Sequence, residues 1–178
     1  MPLERMTAEH LASSAGGFEP QRRNHFQIEI YMPSNLEQEI LRMSIVSGFL
    51  PQEGNEAIEM SWMNESSWIA GRRTLEGGSI RCRDFLDQAT ANVILKWRRL
   101  VYDPRTGALG YAMNYKREAC IILTGPDGVM HERKWKLQGL WPTSVEHGNL
   151  EYNSNEVLEM SVSLRFDRAI PLFLEETT

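Results

Sequence analysis

Residues 120–137 read CIILTGPDGVMHERKWKL. Cys120, Ile121, Ile122 and Leu123 form a short apolar run, and Gly125-Pro126-Asp127-Gly128 follows it. Proline presets the second position of a type I turn, and Asp and Gly after it close the turn. Beyond the turn, Trp135 and Leu137 alternate with Lys134 and Lys136. A two-residue period on the far side of such a turn predicts a β-hairpin. Outward toward the C-terminus, Leu158, Met160, Val162, Leu164 and Phe166 alternate with Glu159, Ser161, Ser163 and Arg165. That is a strand with one buried face. Outward toward the N-terminus, the same period marks residues 79–83 after Gly77-Gly78, residues 67–74, and Ile58, Met60 and Trp62. It marks Leu41, Met43 and Ile45 against Arg42 and Ser44, and Phe26, Ile28 and Ile30 against Gln27 and Glu29. The stretch GFLPQEGNE at 48–56 reads as a loop, because Gly48, Pro51 and Gly54 interrupt any ladder.

One segment departs from this period. From Phe85 to Val101, Leu86, Ala89, Val93, Trp97 and Leu100 recur at steps of three and four, the face of one helix. Asp84 suits its N-cap and Asp87 its first turn, while Lys96, Arg98 and Arg99 suit its C-terminal end. Six to eight strands with one helix and no βαβ rhythm predict a mainly β fold, an antiparallel sandwich or barrel. Residues 1–23 read as a flexible arm with a helical turn near Ala8 and Leu11, 24–168 as the folded domain and 169–178 as a tail.

The chain has 178 residues, 42% hydrophobic and 24% charged. That suits one soluble domain and excludes a disordered chain. At this size about 68–70% of the unfolded surface is buried, so a core forms without staples. No apolar run approaches the ~18 residues of a membrane helix. The N-terminus lacks a signal-peptide core, and Cys82 and Cys120 are too few for a disulfide framework, so synthesis inside a cell is expected. Net charge is −5, which argues against general nucleic-acid binding. The charge is blocked: residues 24–80 hold 3 basic and 8 acidic side chains, 81–142 hold 11 and 6, and 143–178 hold 2 and 7. Such blocks suit a protein that packs against its own copies.

Chemistry is nearly absent. His10, His25, His131 and His147 are scattered, with no HExxH, CxxC, GxSxG, P-loop or dinucleotide fingerprint. Cys82 and Cys120 fall in expected strands and read as buried structural thiols. No catalytic residue, cofactor site or metal site is expected.

The C-terminal third reads LQGLWPTSVEHGNLEYNSNEVLEMSVSLRFD, with Gly139, Leu140, Trp141 and Pro142 at an expected strand end before Leu150, Tyr152 and the last alternating strand. This ordered set resembles the tail tube protein family of contractile-tailed bacteriophages. The NHFQIEI at 24–30 and the AGRRTL at 70–75, followed by a strand and then a helix, keep the family's order. The resemblance implies a structural protein, not an enzyme. It implies six copies joined into a ring with a continuous inner barrel, and rings stacked into a tube. The implied partners are a sheath outside, a tape-measure protein inside, baseplate and terminator proteins at the ends, and DNA in transit. The implied location is the virion tail, assembled in the host cytoplasm. Four strands from each of six copies give ~24, hence a backbone diameter of ~45–50 Å. Close alternatives are the baseplate-proximal ring that initiates a tube and the inner tube of an injection system. A small β-barrel that binds a ligand or acts as an enzyme is the alternative of a different class. Residues 48–74 are expected to project and to carry ring stacking through Phe49, Leu50, Trp62 and Trp68. The channel wall is expected to be polar with an excess of acid.

Overall fold

The computed structural model describes residues 21–87, 90–125, 133–153 and 155–172. Residues 1–20 of the expected arm at 1–23, Ala89 of the expected helix face, the turn residues 126–128, residues 173–178 of the expected tail, and His10 and His131 lie outside the described residues. Among those described, none of the helices is long and apolar enough to cross a membrane.

Among the described residues nine strands form: β1 (Phe26–Ile30), β2 (Ile45–Ser47), β3 (Gln52–Trp62), β4 (Glu65–Glu76), β5 (Gly78–Arg83), β6 (Arg117–Leu123), β7 (Arg133–Glu146), β8 (Glu159–Arg165) and β9 (Arg168–Pro171). Among the described residues three helices accompany them: α1 (Asn35–Ser44), α2 (Thr90–Val101) and the one-turn α3 (Ala112–Tyr115). Every strand pairing is antiparallel. The mainly β, antiparallel class read from the sequence is therefore the observed one.

The strands order as β1-β6-β7-β8-β5-β2, with β9 also on β7, and the hairpin β3-β4 stands as a separate two-stranded sheet. The long sheet curls about β7. The first half of β7 pairs β6 on one side and β9 on the other, through Gln138↔Arg168. Its second half pairs β8, from Trp141↔Arg165 onward. Each half thus belongs to a four-stranded layer: β1-β6-β7-β9 and β2-β5-β8-β7.

The corner is at Gly139. Its φ is +70°, and a Cβ there would run into the Asp167 carboxylate. Asp167 lies between β8 and β9, and its N–H donates to Gln138 O at 2.9 Å. Both partner strands therefore bend at one level, as strands do where they pass from one sheet to another. The expected strand end at Gly139, Leu140, Trp141 and Pro142 is corrected: it is a bend within a 14-residue strand, with Leu140 and Pro142 buried. The chain also continues as a strand past the expected boundary at 168, because Ala169 buries against Leu137.

Alternation places the core as expected. Ile28, Ile30, Ala119, Ile121, Leu137, Met160, Val162, Leu164 and Phe166 are buried between the layers. The expected strand at 41–45 is instead the end of α1. Ile40, Leu41 and Ser44 turn inward at helical spacing, and Met43, taken as inward by alternation, is 69% exposed. Glu37 in the first turn and Arg42 in the last match the helix dipole. Only Ile45 onward is extended, as β2.

The one expected helix exists and is described from Thr90 to Val101. Its inward face is Thr90, Val93, Ile94, Trp97 and Val101, while Leu86 is fully exposed. Asp87 lies outside the described helix, in a bend. Asp84 still serves the helix from a distance, since its Oδ1 accepts the Ala91 N–H at 3.1 Å. Trp97 anchors α2 to α3 by donating its indole N–H to Tyr115 O at 2.7 Å. The Tyr115 ring in turn rests on Trp141 of β7.

Candidate assembly surfaces

The described residues contain no group of three or more side chains able to hold a metal. Both cysteines are free and buried. Burial pushes the Cys82 thiol up to about 11, against a weaker opposing pull from a Ser44 hydrogen bond. Burial also raises Cys120, with the Glu29 charge adding to it. The nucleophilic form of cysteine is the thiolate, so both are poor nucleophiles near neutral pH.

The chain's surface is more informative. β3 and β4 run 11 and 12 residues, and nearly all their side chains are exposed on both faces. Strand β3 begins at Gln52, which corrects the loop expected through residue 56. The root is fastened: Arg73 donates to Glu53 Oε1 at 2.8 Å and to Ala169 O at 3.4 Å, and Leu75 packs on the core. Beyond the root, the part from Ala57 to Trp62 extends ~20 Å. Register assigns its faces. Ile58 opposes Ile69, Met60 opposes Ser67, and Trp62 opposes Glu65. Paired residues share a face, so Ile58, Met60, Trp62 and Ile69 form one apolar face. Trp68 opposes Glu59 on the other face.

The four residues expected at an interface are thus dispersed. Trp62 and Trp68 are exposed, at 80% and 64%, on opposite faces of the hairpin. Leu50 is exposed at the root. Phe49 is not on the projecting part at all. It stacks on Phe166, with centroids 6.0 Å apart, and joins its own core. Sequence reasoning missed Ile58, Met60 and Ile69 as surface residues. Their alternation was legible, but it marked them as inward, because a strand's unburied state depends on what the rest of the chain leaves uncovered.

Two further apolar surfaces are open. Leu36 and Met43 of α1 line a groove of about 530 Å³ with Phe85, Leu86, Glu39 and Asp87. A larger cleft of about 850 Å³ opens where the edge strands β1 and β2 approach, lined by Phe26, Val46, Leu50 and Leu123 among others.

The outward faces of the two layers are polar. That of the β8 layer is rich in small hydroxyls: Ser47, Ser79, Ser144, Ser161 and Ser163. It also carries three arginines (Arg81, Arg83, Arg165) and two glutamates (Glu146, Glu159). That of the β6 layer carries Lys134, Lys136 and Arg168 against Glu29 and Glu118, with Lys136 paired to Glu118 at 3.0 Å. The acidic excess expected of a channel wall is therefore on neither outward face. It sits on the hairpin, where residues 52–76 hold five glutamates and two arginines.

No family model matches the chain. It is 25% identical over 151 residues to the tail tube protein gp19 of Enterobacteria phage T4, covering 82% of this chain and 88% of gp19. The chain is a homologue of a phage tail tube protein. The tail tube homologue also shares its fold with chains of contractile injection systems. One is the anti-feeding prophage cap, at a TM-score of 0.68 and 16% identity, over 89% of this chain and 95% of that one. Another is from the sheath-tube complex of an extracellular contractile injection system, PVC. Its TM-score is 0.62 at 17% identity, over 93% of this chain and 97% of that one.

Proposed function

We propose that this chain is the structural subunit of a phage tail tube, with six copies closing into a ring and rings stacking into a conduit for DNA. The relationship to gp19 along most of the chain carries this reading. The fold supports it physically. Each layer contributes four strands and ends in open edges. An exposed edge invites pairing with another chain, and ring closure removes it. Six four-stranded layers give ~24 strands and a backbone diameter of ~45–50 Å, wide enough for a duplex. A lumen wall formed by the β8 layer would present short hydroxyls, with Arg81, Arg83 and Arg165 nearly balanced by Glu146 and Glu159, so its net pull on phosphates would be small. The sheath lies outside, the tape-measure protein inside before ejection, and baseplate and terminator proteins at the ends. The role is mechanical, without a catalytic step, in the virion tail.

A tube-terminating ring is the second reading, favoured by the likeness to the anti-feeding prophage cap. Electron microscopy of the purified protein separates the two. Stacked rings of indefinite length support the tube subunit, and single rings that never stack support the terminator. A monomer at every concentration overturns both.

A further inference from the structure

Two open apolar surfaces of this chain complement each other. The first is the apolar face of Ile58, Met60, Trp62 and Ile69 on the hairpin. Glu65 shares this face opposite Trp62, and residues 56–70 hold no basic side chain. The second is the cleft of about 850 Å³ between the approaching edges of β1 and β2. Phe26, Val46 and Leu123 supply apolar lining, Arg22, Arg23 and Arg133 line it too, and no acidic side chain does among the described residues. An acidic apolar tongue thus matches a basic apolar slot.

The tongue does not enter its own slot. Leu50 lines the cleft and Gln52 already begins β3. Met60 lies eight residues further along a fastened strand, roughly 26 Å away. Trp62 remains 80% exposed. The other apolar groove, beside Leu36 and Met43, is lined by Glu39 and Asp87 and would repel Glu65.

We infer that the β3–β4 hairpin of one copy seats its Ile58, Met60, Trp62 and Ile69 face in the β1–β2 cleft of the next copy, with Glu65 meeting Arg23 and Arg133. The inference rests on the tube reading and names the acceptor of the stacking contact. The two surfaces differ, so the contact is heterologous and propagates from copy to copy. Each copy is displaced along the hairpin by about its reach, roughly 25–35 Å.

Charge reversal tests this without touching the core. The variant Glu65→Lys and the variant Arg23→Glu/Arg133→Glu should each fold, by circular dichroism, and each raise the critical concentration for assembly at least ~10-fold. Mixed in equal amounts, each hairpin again meets an opposite cleft, and assembly should return to near the wild-type concentration. A Trp62→Cys chain oxidised with a Leu123→Cys chain should give a cross-linked pair of two chains. If the wild type forms tubes and the reversals change nothing, or the mixture fails to restore assembly, the contact is wrong and the tube reading stands. A wild type that stays monomeric overturns both.

Discussion

Replacing Gly139 by alanine should unsettle the corner of the sheet. Gly139 sits at φ +70°, and its missing Cβ would occupy the place of the Asp167 carboxylate. Holding an L-residue in the left-handed region costs about 1–2 kcal/mol. The methyl group must also push Asp167 aside, breaking its 2.6 Å bond from Lys116. Those side chains are 33% and 53% exposed, so the pair contributes no more than ~1 kcal/mol. The expected loss is therefore about 2–3 kcal/mol. In a chain of this size that lowers Tm by roughly 4–12 °C. Urea unfolding followed by tryptophan fluorescence measures it, with an unchanged m-value. Asp167→Ala provides the control. It clears the obstacle, so Gly139→Ala in that background should cost only the backbone part, about 1–2 kcal/mol. A Gly139→Ala protein within ~0.5 kcal/mol of wild type would refute the reasoning. An equal cost in both backgrounds would refute its steric half.

Three other outcomes are expected. Removing the outer hairpin, with Glu56 joined directly to Gly71, should leave body stability within ~0.5 kcal/mol and abolish tubes seen by electron microscopy; normal tubes would show that stacking lies elsewhere. Trp97→Phe removes the 2.7 Å donor to Tyr115 O and should cost about 1–2 kcal/mol in denaturant unfolding, with the α3 amides exchanging faster. Cys82 holds its proton to about pH 11 when folded, against an ordinary thiol value of 9.0. The unfolded chain thus loses that proton first, so the contribution of Cys82 is full below about pH 9 and disappears toward pH 11. Stability should fall by up to roughly 2–3 kcal/mol across that window, and a Cys82→Ala protein should not show that part of the decline.

The parts of the fold legible in the sequence are those where one face is buried and the other wet. β1, β5 and β8 alternate so because their inward residues meet at Ile80↔Val162 and Ile28↔Ile121. Helix α1 was not legible. Its buried face includes Ser44, while Leu36 and Met43 are exposed, so the apolar stripe is broken. Five residues of chance alternation at 41–45 then resemble a strand. The start of β3 was hidden by Pro51 and Gly54, which are tolerated because β3 pairs on one side only. The bend in β7 carried its signal, since Gly139 and Pro142 stand where a strand must turn or stop. Choosing between the two requires knowing that Asp167 opposes Gly139, a contact 28 positions away. The surface was legible in part. The projecting segment follows from too many aromatics in too little core. Which face each tryptophan takes follows only from register, and Phe49 was claimed by Phe166.

A strand shared by two layers makes the subunit behave as one piece under load. Pulling the two layers apart cannot proceed layer by layer, because β7 is a single backbone clamped by β6 and β9 at one end and by β8 at the other. Rupture must shear several ladder bonds at once instead of unzipping them one at a time. Stretched between its ends in a force spectrometer, the body should break in a single event. The free-standing hairpin should peel open earlier and at far lower force. Under the proposed tube role, an assembly of such subunits would thus yield first at its joints, with its walls left whole.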